Sequence, residues 1–119
     1  MKDYSAMSDF EINCAVAKSL GGKDFGAGVY VSELRRFDIG HDKKSKFTFD
    51  PCNSWADAGP IIQGNEISMI SRRANGEWKA EIFLGRNCGF DNYATCFDKN
   101  PRRAAMIVFL MMKDAESNA

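Results

Sequence analysis

The stretch NPRRAAMIVFLMMKD, from Asn100 to Asp114, places nine consecutive apolar residues between an arginine pair and a Lys-Asp pair. Asn100 is a favoured N-cap residue, and Pro101 takes the first helical position, where its missing N–H costs nothing. The stretch therefore predicts a helix over about residues 101–113. Nine residues span only about 13 Å, less than half of a ~30 Å hydrocarbon core, which favours a protein interior over a membrane.

The apolar residues 104–112 occupy every side of this helix, whereas a helix on a protein surface has an apolar stripe of roughly 100°. Such a helix needs cover on several sides. The candidates for that cover are a sheet, the first helix of the chain and a second subunit. One sheet face provides too little, so a homodimer is considered as an additional source of cover.

The composition is typical of a folded globular protein, with 119 residues of which 45% are apolar. This length predicts a single domain over residues 1–119 with one core. Sixteen basic side chains balance sixteen acidic ones, so no net field draws the chain towards nucleic acid or an anionic membrane. The N-terminal residues lack the apolar stretch of a secretory signal, which predicts a cytoplasmic protein.

A second helix is predicted near the N-terminus by a capping box at Ser8-Asp9-Phe10-Glu11. The Ser8 hydroxyl accepts from the amide of Glu11, whose carboxylate accepts in return from the amide of Ser8. Apolar residues then recur at three- and four-residue spacing until Gly21-Gly22. The helix is expected to span about residues 9–20.

The segment 66–84 predicts a β-hairpin, because Asn75-Gly76 is the strongest short signal for a type I′ turn. A two-residue turn sets Arg72 beside Lys79 on one face and makes the other face apolar. The expected pairs on the apolar face are Arg73–Trp78, Ser71–Ala80, Met69–Ile82 and Ile67–Leu84. These elements together predict an α+β fold, in which a small, mainly antiparallel sheet packs against the helices at 9–20 and 101–113.

The remaining segments have weaker patterns. Val29–Val31 and residues 47–49 are interpreted as short extended pieces, and Asn53 or Ser54 as the cap of a brief helix that Gly59-Pro60 stops or bends. The polar stretch 33–46 is interpreted as a loop. Residues 86–99 are interpreted as irregular, because Gly85, Asn87 and Gly89 interrupt any period.

Few side chains suggest catalysis or metal binding. The only histidine, His41, lies among charged residues in a predicted loop, and no nucleophile is paired with it by any recognised spacing. The four cysteines lack a CxxC spacing and are expected to be free thiols. We therefore predict no enzyme activity, no catalytic residue, no metal site and no cofactor.

Basic doublets are the one feature that suggests a binding site. Arg102-Arg103 begins the last helix, where cations oppose the helix dipole unless an anion binds there. The alternative is that Asp98 neutralises these arginines. Arg73 and Trp78 are expected to face each other at the open end of the hairpin as a cation–π pair. The candidate anion or partner contacts are therefore Arg102, Arg103, Arg73 and Trp78.

Three blocks of the sequence resemble the NinX-like family of tailed-phage and prophage proteins. They are MKDYSAMSDFEIN with AVAKSLGG at the start, FDPCNSWADAGPIIQGNEISMI in the middle and NPRRAAMIVFLMMKD at the end. The blocks cover roughly residues 3–22, 49–70 and 100–114. The resemblance implies a lambdoid phage or prophage origin and action in the host bacterial cytoplasm, and it implies no particular biochemical activity.

Two functions remain after these exclusions. The first is a small protein-interaction module that binds a host or phage protein, an expectation that the resemblance to small phage accessory proteins implies. The second is a nucleic-acid-binding protein that uses the local doublets Arg72-Arg73 and Arg102-Arg103.

Overall fold

A computed structural model of the protein describes residues 3–40 and 46–117. After a short 3-10 turn at Tyr4–Ala6, the helices are α1 (Asp9–Ser19), α2 (Trp55–Gly64) and α3 (Pro101–Ser117). The strands are β1 (Lys23–Asp24), β2 (Val29–Val31), β3 (Arg36–Asp38), β4 (Ser68–Arg72), β5 (Glu77–Asn87) and β6 (Phe90–Asp98). The α+β prediction is confirmed, with an N-terminal and a C-terminal helix beside antiparallel strands.

The strands form two separate sheets in this part of the chain, where the sequence predicted one. The first sheet has the order β1-β2-β3 and the second has the order β4-β5-β6, and all their pairs are antiparallel. The predicted loop at 33–46 was wrong at β3, where Phe37 is buried and pairs with Tyr30. A three-residue strand with charged residues on both sides of Phe37 is too short to show a period. Residues 41–45 of that stretch, including His41, lie outside the described residues.

Helix α1 begins as the sequence predicts. The Ser8 hydroxyl accepts from the Glu11 amide at 3.1 Å, and the Glu11 carboxylate accepts from the Ser8 amide at 3.2 Å. The helix buries Ile12, Val16 and Ala17. Local capping and apolar spacing were therefore sufficient to locate this helix.

Helix α2 is longer than the sequence predicted, because Gly59 and Pro60 do not end it. Ser54 is the N-cap and its hydroxyl accepts from the Asp57 amide. Pro60 cannot donate to the carbonyl of Ala56, but position 56 is exposed and water can satisfy that carbonyl. Burial of the next residue, Ile61, then stabilises the continued helix.

The 66–84 hairpin exists, but its predicted register was wrong by two residues. Trp78 lies opposite Ser71, not Arg73, and Ala80 lies opposite Met69. Residues 73–76 form a four-residue connection in which Gly76, with a φ of 66°, is left-handed. A shift of two residues preserves which side chains face the core. It also places Arg72 opposite Glu77, which replaces the unfavourable Arg72–Lys79 pair.

Strand β6 was missed by the sequence, which predicted an irregular segment at 86–99. Cys88 and Gly89 connect β5 to β6 with φ values of 54° and 82°, as a type I′ turn requires. A bulge between Phe83 and Gly85 interrupts the pairing of β5 with β6. The type I′ turn therefore lies at Cys88-Gly89 and not at Asn75-Gly76.

Helix α3 is the centre of the core. Asn100 caps it, since its side-chain oxygen accepts from the amides of Arg102 and Arg103. Seven consecutive residues, Ala104 to Leu110, are buried beneath the second sheet, α1 and α2. The cover that the sequence required thus comes from the same chain, so α3 gives no reason for a dimer. No helix in the described ranges is both long and apolar enough to cross a membrane.

Candidate interaction surface

Arg103 is held entirely by groups of its own chain. Its Nε donates to Asp98 at 3.1 Å and one terminal nitrogen donates to Asp9 at 2.8 Å. The other terminal nitrogen donates to the carbonyls of Ser5 and Met7 at 3.1 and 2.7 Å. The predicted pairing of Asp98 with Arg103 is confirmed. Burial opposes the charge of Arg103, but hydrogen bonds and charges from Asp9 and Asp98 outweigh it and raise the pKa of the guanidinium.

Arg102 lies on the other side of the helix start and contacts Trp55. The Arg102 guanidinium carbon is 4.8 Å from the centroid of the half-exposed Trp55 ring. Its Nε is buried and has no hydrogen-bond partner among the described residues. The amides that an anion would need at this helix start already donate to Asn100. Anion binding at Arg102-Arg103 stays a prediction, and the two backbone amides that would support it donate to the Asn100 side chain.

Arg73 and Trp78 are not opposite each other. The corrected register puts Arg73 in the exposed connection 73–76 and leaves Trp78 half-buried on the core side, opposite Ser71 and Asp98. Trp78 therefore lies beside Asp98, the carboxylate that binds Arg103, whereas Arg73 lies in the connection at this end of the sheet and is paired with no strand residue. The arginine that does lie over an aromatic ring of this sheet is Arg72, at 5.2 Å from the centroid of Phe97.

Several large apolar side chains are exposed together on the outer face of the second sheet, the side turned away from α3. We call this side the outer face. It presents four large side chains that are each about half exposed: Ile70 (49%), Phe83 (51%), Tyr93 (50%) and Phe97 (46%). Phe83 and Tyr93 are cross-strand partners whose ring centroids are 5.5 Å apart in an edge-to-face contact. Soluble monomers seldom leave such a set uncovered on one sheet.

The charges of the outer face balance within the face itself. Arg72 lies opposite Glu77 in the β4–β5 pair. The Lys79 ammonium is 3.1 Å from the Glu81 carboxylate, and the Arg86 guanidinium is 3.8 Å from the Asp91 carboxylate. Three cations and three anions therefore share this surface with the apolar side chains.

The β5–β6 hairpin also extends past the core. Its last buried cross-strand pair is Ile82 with Ala94. Beyond that pair every residue from 86 to 93 is exposed, and Phe90 at the turn is 74% exposed. A side chain added at Gly85 or Gly89 would meet no atom within 4 Å. The outer face therefore continues along a projecting hairpin.

The four apolar residues of the outer face did not appear among the sequence candidates. The signal was present in the alternation of Tyr93, Thr95 and Phe97 with Ala94 and Cys96, which is the period of a strand with two different faces. Glycines at 85 and 89 obscured it. One of them is part of a bulge and the other of a turn, and neither ends the sheet.

The cysteines of the described residues are free thiols. Cys14, Cys52, Cys88 and Cys96 are unpaired, and no cluster of three potential metal ligands occurs in residues 3–40 and 46–117. Cys52 is completely buried, and this burial raises the pKa of its thiol from 9.0 to about 12.

This pKa difference predicts a loss of stability in mild alkali. An unfolded Cys52 ionises near pH 9, whereas the folded thiol keeps its proton until about pH 12. The stabilisation that the buried, protonated thiol provides is fully present below pH 9 and is lost as the pH rises towards 12. At pH 10 the partial loss of this stabilisation should lower the free energy of unfolding by about 1 kcal/mol. Urea unfolding at pH 8 and pH 10 measures the effect, and Cys52→Ala should show a smaller decrease than the wild type. Equal decreases would contradict the assignment.

Comparison with known families identifies the group to which the chain belongs. The family model described as Bacteriophage P22, NinX matches residues 3–113. The chain is a member of this NinX family. A comparison with curated proteins finds no match. The family match confirms the resemblance seen in the three sequence blocks, and it makes this NinX family member a phage accessory protein. The match also includes every residue of the outer face.

Proposed function

We propose that this NinX family member is a small, non-enzymatic protein-interaction module that acts in the host bacterial cytoplasm and binds protein through its outer face. The observation that carries the proposal is the set Ile70, Phe83, Tyr93 and Phe97, four half-exposed apolar side chains on one sheet face. Aromatic side chains are enriched in the centres of protein interfaces, where they bury large areas at low entropic cost.

The charge of the outer face favours protein over nucleic acid. Phosphate recognition needs cations whose charge is available to the backbone, and it makes affinity strongly salt-dependent. Lys79 and Arg86 each contact an acidic side chain of the same face, and Arg72 lies opposite Glu77. Arg103 is likewise occupied by Asp9 and Asp98. A protein surface of low net charge is the better match.

A pull-down from infected host lysate tests the proposal. The informative variant is the double substitution Phe83→Ser and Phe97→Ser, which removes two aromatic rings from the outer face. Phe25→Ser is the matched control, because Phe25 is an exposed phenylalanine beside the first sheet. We expect the wild type and the control to retain the same protein partner, and the double variant to lose it.

Two results would count against protein binding by this face. One is a partner that the double variant and the control retain equally. The other is salt-dependent affinity for DNA or RNA that weakens in an Arg72→Ala, Arg73→Ala variant, which would favour the nucleic-acid alternative.

A further inference from the structure

We propose that the partner of the outer face is a second copy of this chain, so that two second sheets stack face to face about a two-fold axis. This inference rests on the proposed function, because it names the partner of the same surface. The axis runs across the strands at the level of Glu81. Stacked sheets of this kind are about 10 Å apart and align within about 30°.

The inference starts from how the outer face is ordered along the strands. Its side chains lie in rows that follow the observed register: Arg72–Glu77, Ile70–Lys79–Phe97, Ser68–Glu81–Thr95, Phe83–Tyr93 and Arg86–Asp91. The row of Glu81 is the middle one of the five. The bulge after Phe83 adds one residue to β5, so that Arg86 and not residue 85 is the next side chain on this face, opposite Asp91. The rows therefore stay evenly spaced along the strands. Apolar rows therefore flank the middle, and charged rows lie at both ends.

A two-fold axis across the middle row brings the two rows that contain aromatic rings face to face. This axis places each strand over the same strand of the partner and reverses its direction. Each row of one copy therefore faces the row of the partner that lies equally far on the other side of the Glu81 row. Phe97 on β6 then faces the partner's Tyr93, and Lys79 on β5 faces the partner's Phe83. The first contact covers two half-exposed rings, and the second is a cation–π contact.

The same operation superposes opposite charges at the ends of the face. Glu77 on β5 faces the partner's Arg86, and Arg86 faces the partner's Glu77. The angle between the two sheets moves these ends sideways by several ångströms, which the long side chains of Glu and Arg can span. Within one chain these two residues lie nine positions apart on the same strand, about 30 Å, and do not meet. Within the chain Glu77 lies opposite Arg72 and Arg86 is 3.8 Å from Asp91, so the intermolecular contact adds to these pairs.

The other two-fold arrangement is much less favourable. An axis parallel to β5 would place Glu77, Lys79, Glu81 and Arg86 each over its own copy, which gives four like-charge contacts. The axis across the strands leaves only Glu81 facing itself, and Lys79 neutralises that carboxylate at 3.1 Å. Charge complementarity therefore selects one orientation of the pair.

The size of the face predicts a weak dimer. From Glu77 to Arg86, β5 is about 30 Å long, and β5 and β6 together are about 10 Å wide. β4 pairs only with the first half of β5, so in the reversed copy it overlaps its counterpart at Ser68 alone. The flat area is about 300 Å² per copy and about 600 Å² for both, which is in the range of weak, transient contacts. We expect a dissociation constant in the micromolar range.

Charge reversal followed by mixing tests the two-fold contact directly. Glu77→Arg alone and Arg86→Glu alone should each weaken the dimer by about tenfold or more, because each puts like charges together at both ends. An equimolar mixture of the two variants should recover the dimer. In the mixture the cation introduced at position 77 faces the carboxylate introduced at position 86, and the native Arg86 faces the native Glu77. Sedimentation velocity at micromolar concentrations measures all three samples, with circular dichroism to verify folding.

The possible outcomes separate this inference from the proposed function. A wild type that stays monomeric, or a mixture that does not recover, overturns the two-fold dimer. If the pull-down partner is then lost only in the Phe83→Ser, Phe97→Ser variant, the proposed function stands with a different partner. If that variant behaves like Phe25→Ser in the pull-down as well, both proposals fail. Recovery in the mixture supports the dimer, since only a contact between position 77 and position 86 of different copies explains it.

Discussion

Replacement of Arg103 by alanine is expected to lower the free energy of unfolding by about 3 to 5 kcal/mol. The side chain is only 12% exposed, and it holds the Asp9 and Asp98 carboxylates together with two backbone carbonyls. Its removal leaves these acceptors without their donor, and it leaves the Asp9 and Asp98 carboxylates near each other without the guanidinium between them. The loss would also release the N-terminal segment from α3 and from the end of β6.

Urea unfolding with matched variants measures this contribution. Arg103→Lys keeps the charge but lacks the planar fork that reaches four acceptors, so it should recover only part of the lost stability. Arg102→Ala is the control, because Arg102 makes a cation–π contact with the exposed Trp55 ring, worth about 0.5 to 1 kcal/mol. Equal losses for Arg102→Ala and Arg103→Ala would refute the structural role of Arg103.

Replacement of Gly28 by alanine is the second large effect, and we expect a loss of about 3 kcal/mol. Gly28 has a φ of 78°, which L side chains rarely adopt. An added Cβ would lie 2.4 Å from the Ile39 carbonyl oxygen and 3.3 Å from the Phe10 ring. The carbonyl belongs to the backbone that follows β3, and the Gly28 carbonyl in turn accepts from the Ile39 amide, so this contact cannot relax cheaply.

Gly26 provides a control for the backbone part of that effect. It also has a positive φ, 84°, but an added Cβ would meet no atom within 4 Å. Gly26→Ala should therefore cost only about 1 kcal/mol, the strain of the left-handed conformation. Thermal or urea unfolding of both variants gives the comparison. A Gly28→Ala variant no less stable than Gly26→Ala would show that the Ile39 carbonyl and the Phe10 ring do not approach Gly28 closely.

The elements that the sequence predicted well are those whose signals are local. Ser8 and Glu11 cap α1 through atoms three residues apart, and Asn100 caps α3 through the amides of Arg102 and Arg103. These side chain–backbone bonds lie within one helical turn, so a short window of sequence contains the whole interaction. The nine apolar residues after Arg103 likewise identify a buried helix without knowledge of its neighbours.

Interactions between residues far apart in the sequence decided the parts of the fold that the sequence did not predict. Asn75-Gly76 favours a two-residue turn, but the pairing of Met69 with Ala80, under α3, selects a longer connection. Pro60 would usually interrupt a helix, but burial of Ile61 continues it. Local preference amounts to about 1 kcal/mol at most positions and to about 3 kcal/mol at a proline, and the combined packing of buried side chains outweighs it.

The sequence by itself determined the α+β class, the two terminal helices and a buried apolar run at 104–112, of which 104–110 are buried, because capping and apolar period are properties of neighbouring residues. Only the tertiary structure decided that Arg103 binds Ser5, 98 residues away, and so is occupied within its own chain. It also decided that Phe83, Tyr93 and Phe97 share an exposed face. The register of the β5–β6 hairpin places these rings together, and register depends on contacts between strands that no single segment encodes.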